Sequence, residues 1–194
     1  MAAGKVCTGY SLPWVAVYSE TGGVVSYSSA MRLGRGVSVS LDVEEADDNK
    51  FYADNVQAED ASGVFGGGTA TFVIDGLKAA AAKLIYGLPV ADGDGWTHYG
   101  KQMSVPYVGV GYVKRYMEEG VTTYEPVVLR KAKFKMFGDD AATQEEEIDW
   151  QTQELEANLF RDDTTNEDWR YIGGEETTEA AAEAAVKAAL GVTP

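Results

Sequence analysis

The chain has little of what functional sites are commonly built from. Of its 194 residues, one is cysteine, Cys7, and one is histidine, His98. An internal disulfide is therefore excluded, and so is a conventional zinc site made from Cys and His ligands. Nowhere do about 18 consecutive apolar residues occur, and Met1 to Tyr10 shows no apolar run behind a basic segment. The sequence accordingly predicts neither a membrane span nor a signal peptide, and it reads as soluble and unsecreted. Basic residues are also scarce: 16 Lys and Arg face 31 Asp and Glu, a net charge of -15. That balance argues against ordinary attraction to DNA, RNA or an anionic membrane.

Apolar residues are present at 45% and aromatics at 11%, enough to exclude wholesale disorder and to build one domain with a real core. The charge is uneven. Residues 1–100 hold 12 acids and 6 bases, residues 101–135 hold 3 acids and 7 bases, and residues 139–183 hold 16 acids with only Arg161 and Arg170 as bases. Such a distribution serves either as a solubilising surface or as a surface facing a polyanion or a basic partner.

The hydrophobic pattern is mostly that of strands. From Val37 to Glu44 apolar and polar residues alternate strictly, placing Val37, Val39, Leu41 and Val43 on one face. Asp42 to Lys50 reads as a polar exposed loop, resuming at Phe51 and Tyr52, so a projecting loop or hairpin is expected here. Gly66, Gly67 and Gly68 read as a break, hinge or bulge before a β-branched strand from Thr69 to Ile74. Met103 to Tyr116, Glu118-Glu119-Gly120 and Val121 to Phe137 spell a long antiparallel hairpin. Pro106 and Pro126 suggest edges or bulges in it, and Gly109 and Gly111 a close backbone approach. Ile148 to Phe160 is a further strand, with Leu155, Ala157 and Leu159 on one face and Glu154, Glu156 and Asn158 on the other.

Two segments read as helices. From about 76 to 87, Lys78, four alanines and Lys83 favour a helix, Leu77, Leu84 and Ile85 share a stripe, Asp75 stands at the N-cap position and Gly87 at the C-terminal stop. From about 177 to 190 the chain is alanine-rich, with Glu179 near the start, Glu183 and Lys187 four apart, and Gly191 after it. Alanine buries little area, so this second helix is expected to dock loosely. The expected organisation is a β domain over 1–175 and an alanine-rich helix and tail over 176–194.

Catalytic patterns are absent. Gly66 to Gly68 precedes a strand, unlike a phosphate-binding loop, and no nucleophile-elbow pattern precedes a serine that His98 could activate. Asp47, Asp48 and Asn49 lack the sharp-turn glycine and closing glutamate of a calcium loop, and Asp92-Gly93-Asp94-Gly95 reads as a turn. Glu145 to Glu147 with Asp149 reads as a charged surface, since paired carboxylates catalyse only where a pocket separates their pKa values. The expectation is a non-enzyme without cofactor or metal.

Several stretches resemble the major tail tube proteins of long-tailed, non-contractile bacteriophages. They are Gly66-Gly67-Gly68-Thr69 through Ile74-Asp75-Gly76-Leu77, Val105-Pro106-Tyr107-Val108-Gly109-Val110-Gly111-Tyr112, and Ala141-Ala142-Thr143-Gln144-Glu145-Glu146-Glu147-Ile148-Asp149-Trp150-Gln151-Thr152, continuing into Arg161-Asp162-Asp163. The resemblance spans about Val6 to Trp169. It implies a mainly β (α+β) antiparallel sandwich or barrel flanked by a helix, with six copies closing into a ring and rings stacking into a tube. It further implies a tape-measure protein, a tail terminator and a tip or baseplate as partners, DNA as non-adhering cargo, assembly in the bacterial cytoplasm and residence in the virion. No membrane binding and no catalytic step are expected.

On that reading acidity favours free passage, because phosphates pair with Lys and Arg and a basic bore would hold the duplex. Glu154 and Glu156, on the polar face of their strand, are the acids expected at the lumen. The basic block Arg130, Lys131, Lys133 and Lys135 would then pair between subunits or rings with Asp42, Glu44, Glu45, Asp47 and Asp48 or with Glu145, Glu146 and Glu147. Cross-strand pairing of the same bases within one subunit is the competing expectation. The competing function is a monomeric carbohydrate-binding or host-adhesion module presenting Trp96, Tyr99, Trp150 or Trp169 as an aromatic platform.

Overall fold

The computed structural model describes residues 4–46, 50–53, 56–60, 63–136, 138, 143 and 151–192. Ten strands and two helices lie among them, in the order β1 (Val6–Thr21), β2 (Val24–Arg32), β3 (Gly36–Glu45), β4 (Lys50–Ala53), β5 (Val56–Asp60), β6 (Phe65–Ile74), α1 (Ala79–Tyr86), β7 (Val108–Glu118), β8 (Val121–Phe134), β9 (Gln153–Phe160), β10 (Arg170–Ile172) and α2 (Glu179–Ala189). Eight strands form one antiparallel sheet in the order β2-β1-β7-β8-β9-β6-β3, with β10 beside β9 on the same flank of β8, while β4 and β5 form a separate hairpin. The fold is mainly β, as the alternation in the sequence predicts.

The sheet curls until its two ends approach. Strand β3 comes back against β1. Gly36 lies so close to the Tyr10 ring that a Cβ there would stand 2.3 Å from it. The concave side holds the main core, in which Phe72 and Ile74 from β6, Val110 and Tyr112 from β7, Leu129 from β8 and Leu155 from β9 are fully buried. Helix α1 fills this concavity with Ala81, Ile85 and Tyr86. Each such apolar side chain contributes about 1.5–3 kcal/mol when removed from water.

The convex side holds a second, smaller core beneath α2, built from Ala16, Val113, Val128, Ala182, Val186 and Leu190. Gly109 and Gly111 explain how an alanine-rich helix docks there. A Cβ on Gly111 would stand 2.4 Å from Val186 Cγ1, while one on Gly109 would stand 2.4 Å from the Tyr27 ring of β2 and 3.0 Å from Leu190 Cδ2 at the end of the helix. The expected close backbone approach is thus to α2. The expected loose docking is corrected: the two glycines let the helix settle closely onto the sheet, and Ala182, Val186 and Leu190 are fully buried. Its polar stripe is anchored as well. Glu179 accepts from the Ser11 hydroxyl, Glu183 accepts from the Trp14 indole at 3.0 Å, and the Lys187 ammonium lies 4.8 Å from the Trp14 ring centre.

Other expectations shift locally. The Gly66 to Gly68 run lies inside β6 and does not break the chain before it, but the expected bulge is there: Glu44 pairs with Gly67 and Glu45 with Phe65, so β6 carries Gly66 as an extra residue. Here glycine is required by crowding, because a Cβ on Gly68 would meet the Asp42 carbonyl oxygen at 2.5 Å. Likewise β3 continues to Glu45, so Asp42, Glu44 and Glu45 belong to a strand and not to a loop, and the expected projecting hairpin is β4–β5. Val39 and Leu41 are half-buried against the core, whereas Val37 and Val43 on the predicted apolar face are exposed. Asp75 does not cap α1. Its carboxylate instead accepts from the Arg35 amide at 2.8 Å and from Arg35 Nε at 2.5 Å, and the N-cap position falls to Lys78, which makes no side-chain cap. Gly87 does end the helix in the left-handed conformation, with φ of 57°.

Candidate assembly surface

Strands β2 and β3 end the sheet, and among the described residues neither pairs on its outer side. Soluble proteins usually protect such edges with charges, prolines or very short strands. Strand β2 has nine residues, VVSYSSAMR, with no proline and no charge before Arg32. Val24, at its start, is 68% exposed. Strand β3 has ten residues and places its acids, Asp42, Glu44 and Glu45, at the end that leads into the β4–β5 hairpin. Strand β2 is interrupted by a bulge between Ser28 and Met31 and β3 starts against the Tyr10 ring, so the stretches left unpaired among the described residues are the first half of β2 and the part of β3 beyond its start.

The convex face beside these edges carries a seam of cations and tyrosines. A bulge creates it. Val110 pairs with Leu129 but Val108 pairs with Ala132, so β8 holds one extra residue there and its alternation changes phase. Val127 and Leu129 point into the core before the bulge, as do Ala132 and Phe134 after it. Arg130 and Lys131 consequently both face outward, followed by Lys133 and Lys135.

Each cation of this row meets a partner within the chain. Arg130 places Nε 2.8 Å and Nη2 2.7 Å from Asp162 Oδ2, in the one buried ion pair among the described residues. Burial pushes the Asp162 carboxyl up, but the Thr164 hydroxyl and the Arg130 guanidinium outweigh it and hold the carboxyl below its ordinary range. Lys131 Nζ lies 2.5 Å from Asp163 Oδ2, and that hydrogen bond is the main cause of the lowered Asp163 pKa. The Tyr18 hydroxyl donates to the same Asp163 oxygen at 2.8 Å and accepts from the Asp163 amide at 3.0 Å. Burial pushes the Tyr18 phenol up to about 12. The Arg130 guanidinium also lies 4.3 Å from the Tyr171 ring centre, and Lys131 and Lys133 lie 4.7 Å and 5.3 Å from that of Tyr107.

The residues predicted from the sequence fall as follows. Lys135 pairs with Glu156 at 2.9 Å, so Glu156 is not an uncompensated acid, whereas Glu154 is exposed and without an ion pair among the described residues. Three bases of the block, Arg130, Lys131 and Lys135, thus take Asp162, Asp163 and Glu156 as partners, not the acids expected from a neighbouring subunit. Lys133 has no ion pair among the described residues. Asp42, Glu44 and Glu45 are exposed and likewise unpaired, while Asp47, Asp48, Glu145, Glu146 and Glu147 lie outside the described residues. Asp162 and Asp163 were legible only as part of the Arg161-Asp162-Asp163 run, with nothing in the sequence to name their partners.

Of the four aromatic residues considered for a platform, three are described. Trp169 stacks on Phe65 with ring centres 4.5 Å apart and planes 4° from parallel, and its other contact is the Arg170 guanidinium at 4.5 Å. Trp150 lies outside the described residues. Trp96 and Tyr99 are exposed at 72% and 52% on the loop between α1 and β7. That loop borders a cleft of about 480 Å³ lined in part by Val90, His98 and Lys101. Its turn is held by Asp92, which accepts from the Trp96 amide at 2.9 Å and lies 2.7 Å from His98 Nε2. His98 has no serine or cysteine hydrogen-bonded to it, and no group of three or more metal-ligating side chains occurs among the described residues. Cys7 is exposed, its thiol directed at the Gly9 carbonyl.

No protein-family model matches the chain, and no curated protein matches it.

Proposed function

We propose that the chain is a structural subunit that assembles side by side through its open sheet edges into rings, six copies to a ring, which stack into a phage tail tube. The observation that carries this reading is the uncharged β2 edge, interrupted by a bulge between Ser28 and Met31 but unpaired on its outer side among the described residues, at one end of a sheet whose other end, β3, is likewise unpaired there. A monomer with such an edge is exposed to uncontrolled aggregation, whereas a closed ring pairs every edge with a copy of the other. The resemblance in sequence supplies the tube, the six-fold ring and the partners: tape-measure protein, terminator, tip or baseplate, and DNA in passage.

The charge supports the same reading. With a net charge of -15 per subunit, a channel lined even partly by acids repels the duplex. Screening over about 8 Å at physiological salt leaves that repulsion effective only close to the wall. Glu154 fits such a wall better than Glu156, which Lys135 partly neutralises. Negative-stain electron microscopy of the concentrated protein tests the proposal, with rings or tubes enclosing a channel as the expected outcome. A monodisperse monomer at every concentration overturns it.

A second reading, a monomeric sugar-binding or adhesion module, is favoured by exposed Trp96 and Tyr99 beside the cleft. It requires a monomer retained on an immobilised glycan and released by Trp96→Ala.

A further inference from the structure

The two ends of β3 differ in charge. At one end Asp42, Glu44 and Glu45 are exposed, with no ion pair among the described residues. At the other end lies a cleft of about 410 Å³ lined by Arg32, Gly34, Arg35, Asp75 and Lys78. Its three cations face one acid. Asp75 is already held by Arg35 at 2.5 Å, which leaves Arg32 and Lys78 exposed and without an ion pair among the described residues. Helix α1 begins at the same cleft, with no side-chain cap and no acidic residue in its first turn, so its positive end adds to the field.

Position in the fold turns this difference into direction. Arg35 immediately precedes β3, and Asp75 immediately follows Ile74, the β6 partner of Gly36. Glu45 pairs with Phe65 at the opposite end of the same ladder. At about 3.3 Å per residue the basic and acidic ends are separated by about 30 Å along the strand direction, parallel to the open edges and perpendicular to the direction in which those edges pair. If the edges join subunits laterally, as proposed above, the strand ends are left to face the next ring.

We propose that the Arg32–Arg35–Lys78 cleft receives the acidic end of β3 from a second copy of this chain, so that subunits associate head to tail along the strand axis. This inference rests on the self-assembly reading and assigns it a stacking contact. The surfaces are complementary in charge and lie at opposite ends of one subunit, so each bound copy presents a fresh end to the next. Such a heterologous contact propagates where a two-fold contact would stop at a dimer. Of the Arg130–Lys135 row only Lys133 is left to compete for the acids, because Arg130, Lys131 and Lys135 are paired within the chain.

Charge reversal tests it. Arg32→Glu plus Lys78→Glu gives a subunit with two acidic ends, and Glu44→Lys plus Glu45→Lys gives one with two basic ends. Each alone is expected to weaken stacking about tenfold or more by sedimentation velocity and electron microscopy, and an equal mixture is expected to recover it. Raised salt is expected to shorten wild-type stacks. Arg32→Gln plus Lys78→Gln, which adds no new charge, is expected to give an intermediate loss with an unchanged melting temperature. Undiminished stacking by the Arg32 and Lys78 variants overturns the proposal. So does a mixture that fails to recover, or wild-type protein that stops at a dimer. If the wild type forms no rings or tubes under any condition, the reading of function fails too, and the two failures are thereby told apart.

Discussion

Arg130 and Asp162, 32 residues apart, meet in a buried bidentate contact whose carboxylate has no exposed side-chain surface. Asp162 also accepts from the Thr164 hydroxyl at 2.6 Å and the Thr164 amide at 3.2 Å, so both of its oxygens are occupied. A buried pair with its hydrogen bonds complete is costly to break from one side, since the remaining charge stays desolvated. Asp162→Ala is therefore expected to destabilise the fold by about 3–5 kcal/mol in urea unfolding. Lys135→Ala, which removes an exposed partner of Glu156, is expected to cost less than about 1 kcal/mol. Equal losses in the two variants would contradict the assignment.

Acid should act through the same carboxylates. Asp162, Asp163, Asp75 and Glu183 are all held below their ordinary pKa in the folded chain. A group depressed on folding contributes stability that is fully present above its unfolded pKa, about 3.9 for Asp and 4.3 for Glu, and is lost as pH falls through the folded value. The melting temperature is expected to change little between about pH 8 and 5 on account of these groups and to fall below about pH 4. Asp162→Ala and Asp163→Ala should each make that decline shallower. A decline of unchanged slope in both would show that other groups cause it.

The docking of α2 depends on a missing methyl. Gly111→Ala places a Cβ 2.4 Å from Val186 Cγ1 and is expected to cost about 1–3 kcal/mol through overpacking. Proteolysis near Thr177 and Thr178 should accelerate as the helix loosens. Adding Val186→Ala should restore part of the loss, and additive losses would argue against direct contact.

The basic row is expected to divide by function. Lys131→Glu sets a like charge against Asp163 and should lower stability by about 1–2 kcal/mol, read by urea unfolding. Lys133→Glu should leave stability within about 0.5 kcal/mol, as surface changes usually do. If Lys133 contributes to contacts between subunits, the second variant assembles less well at low salt. Assembly unaffected by Lys133→Glu removes that role.

Passage of DNA provides a further kind of measurement. Glu154→Lys plus Glu156→Lys should slow genome ejection from reconstituted particles while rings still form, with Glu154→Lys alone producing most of the effect. Ejection at the wild-type rate in the double variant sinks the assignment of these acids to the lumen.

Strand identity was legible where apolar and polar residues alternate cleanly, and not in β1 and β2, which no sequence expectation covers. Leu155, Ala157 and Leu159 against Glu154, Glu156 and Asn158 predicts β9 and its inward face, and the residues around Glu119-Gly120 predict the β7–β8 hairpin. Gly87 and Gly191 mark helix ends because a left-handed residue is a local requirement. What depends on distant chain was not legible. Asp75 has the right chemistry for a cap, but Arg35, 40 residues earlier, takes it. The β8 bulge that turns Arg130 and Lys131 to one face follows from packing against β7, and periodicity alone does not locate it. The intrachain partners of the basic row were not legible for the same reason: Asp162 and Asp163 come from a turn beyond β9, brought near by sheet order.

The attachment of α2 to β1 has a consequence for biosynthesis. Trp14 bonds to Glu183, 169 residues later, and the other long neighbour of β1 is β7, which starts at Val108. At about 5–20 residues per second, β1 waits roughly 10–30 s after its own synthesis for the helix that covers it. Until then the subunit lacks its outer core, and the uncharged β2 edge hangs from an incompletely packed strand. Translation thereby acts as a timer, and a nascent chain held off its siblings during that interval by a chaperone would reach them only when its sheet is set.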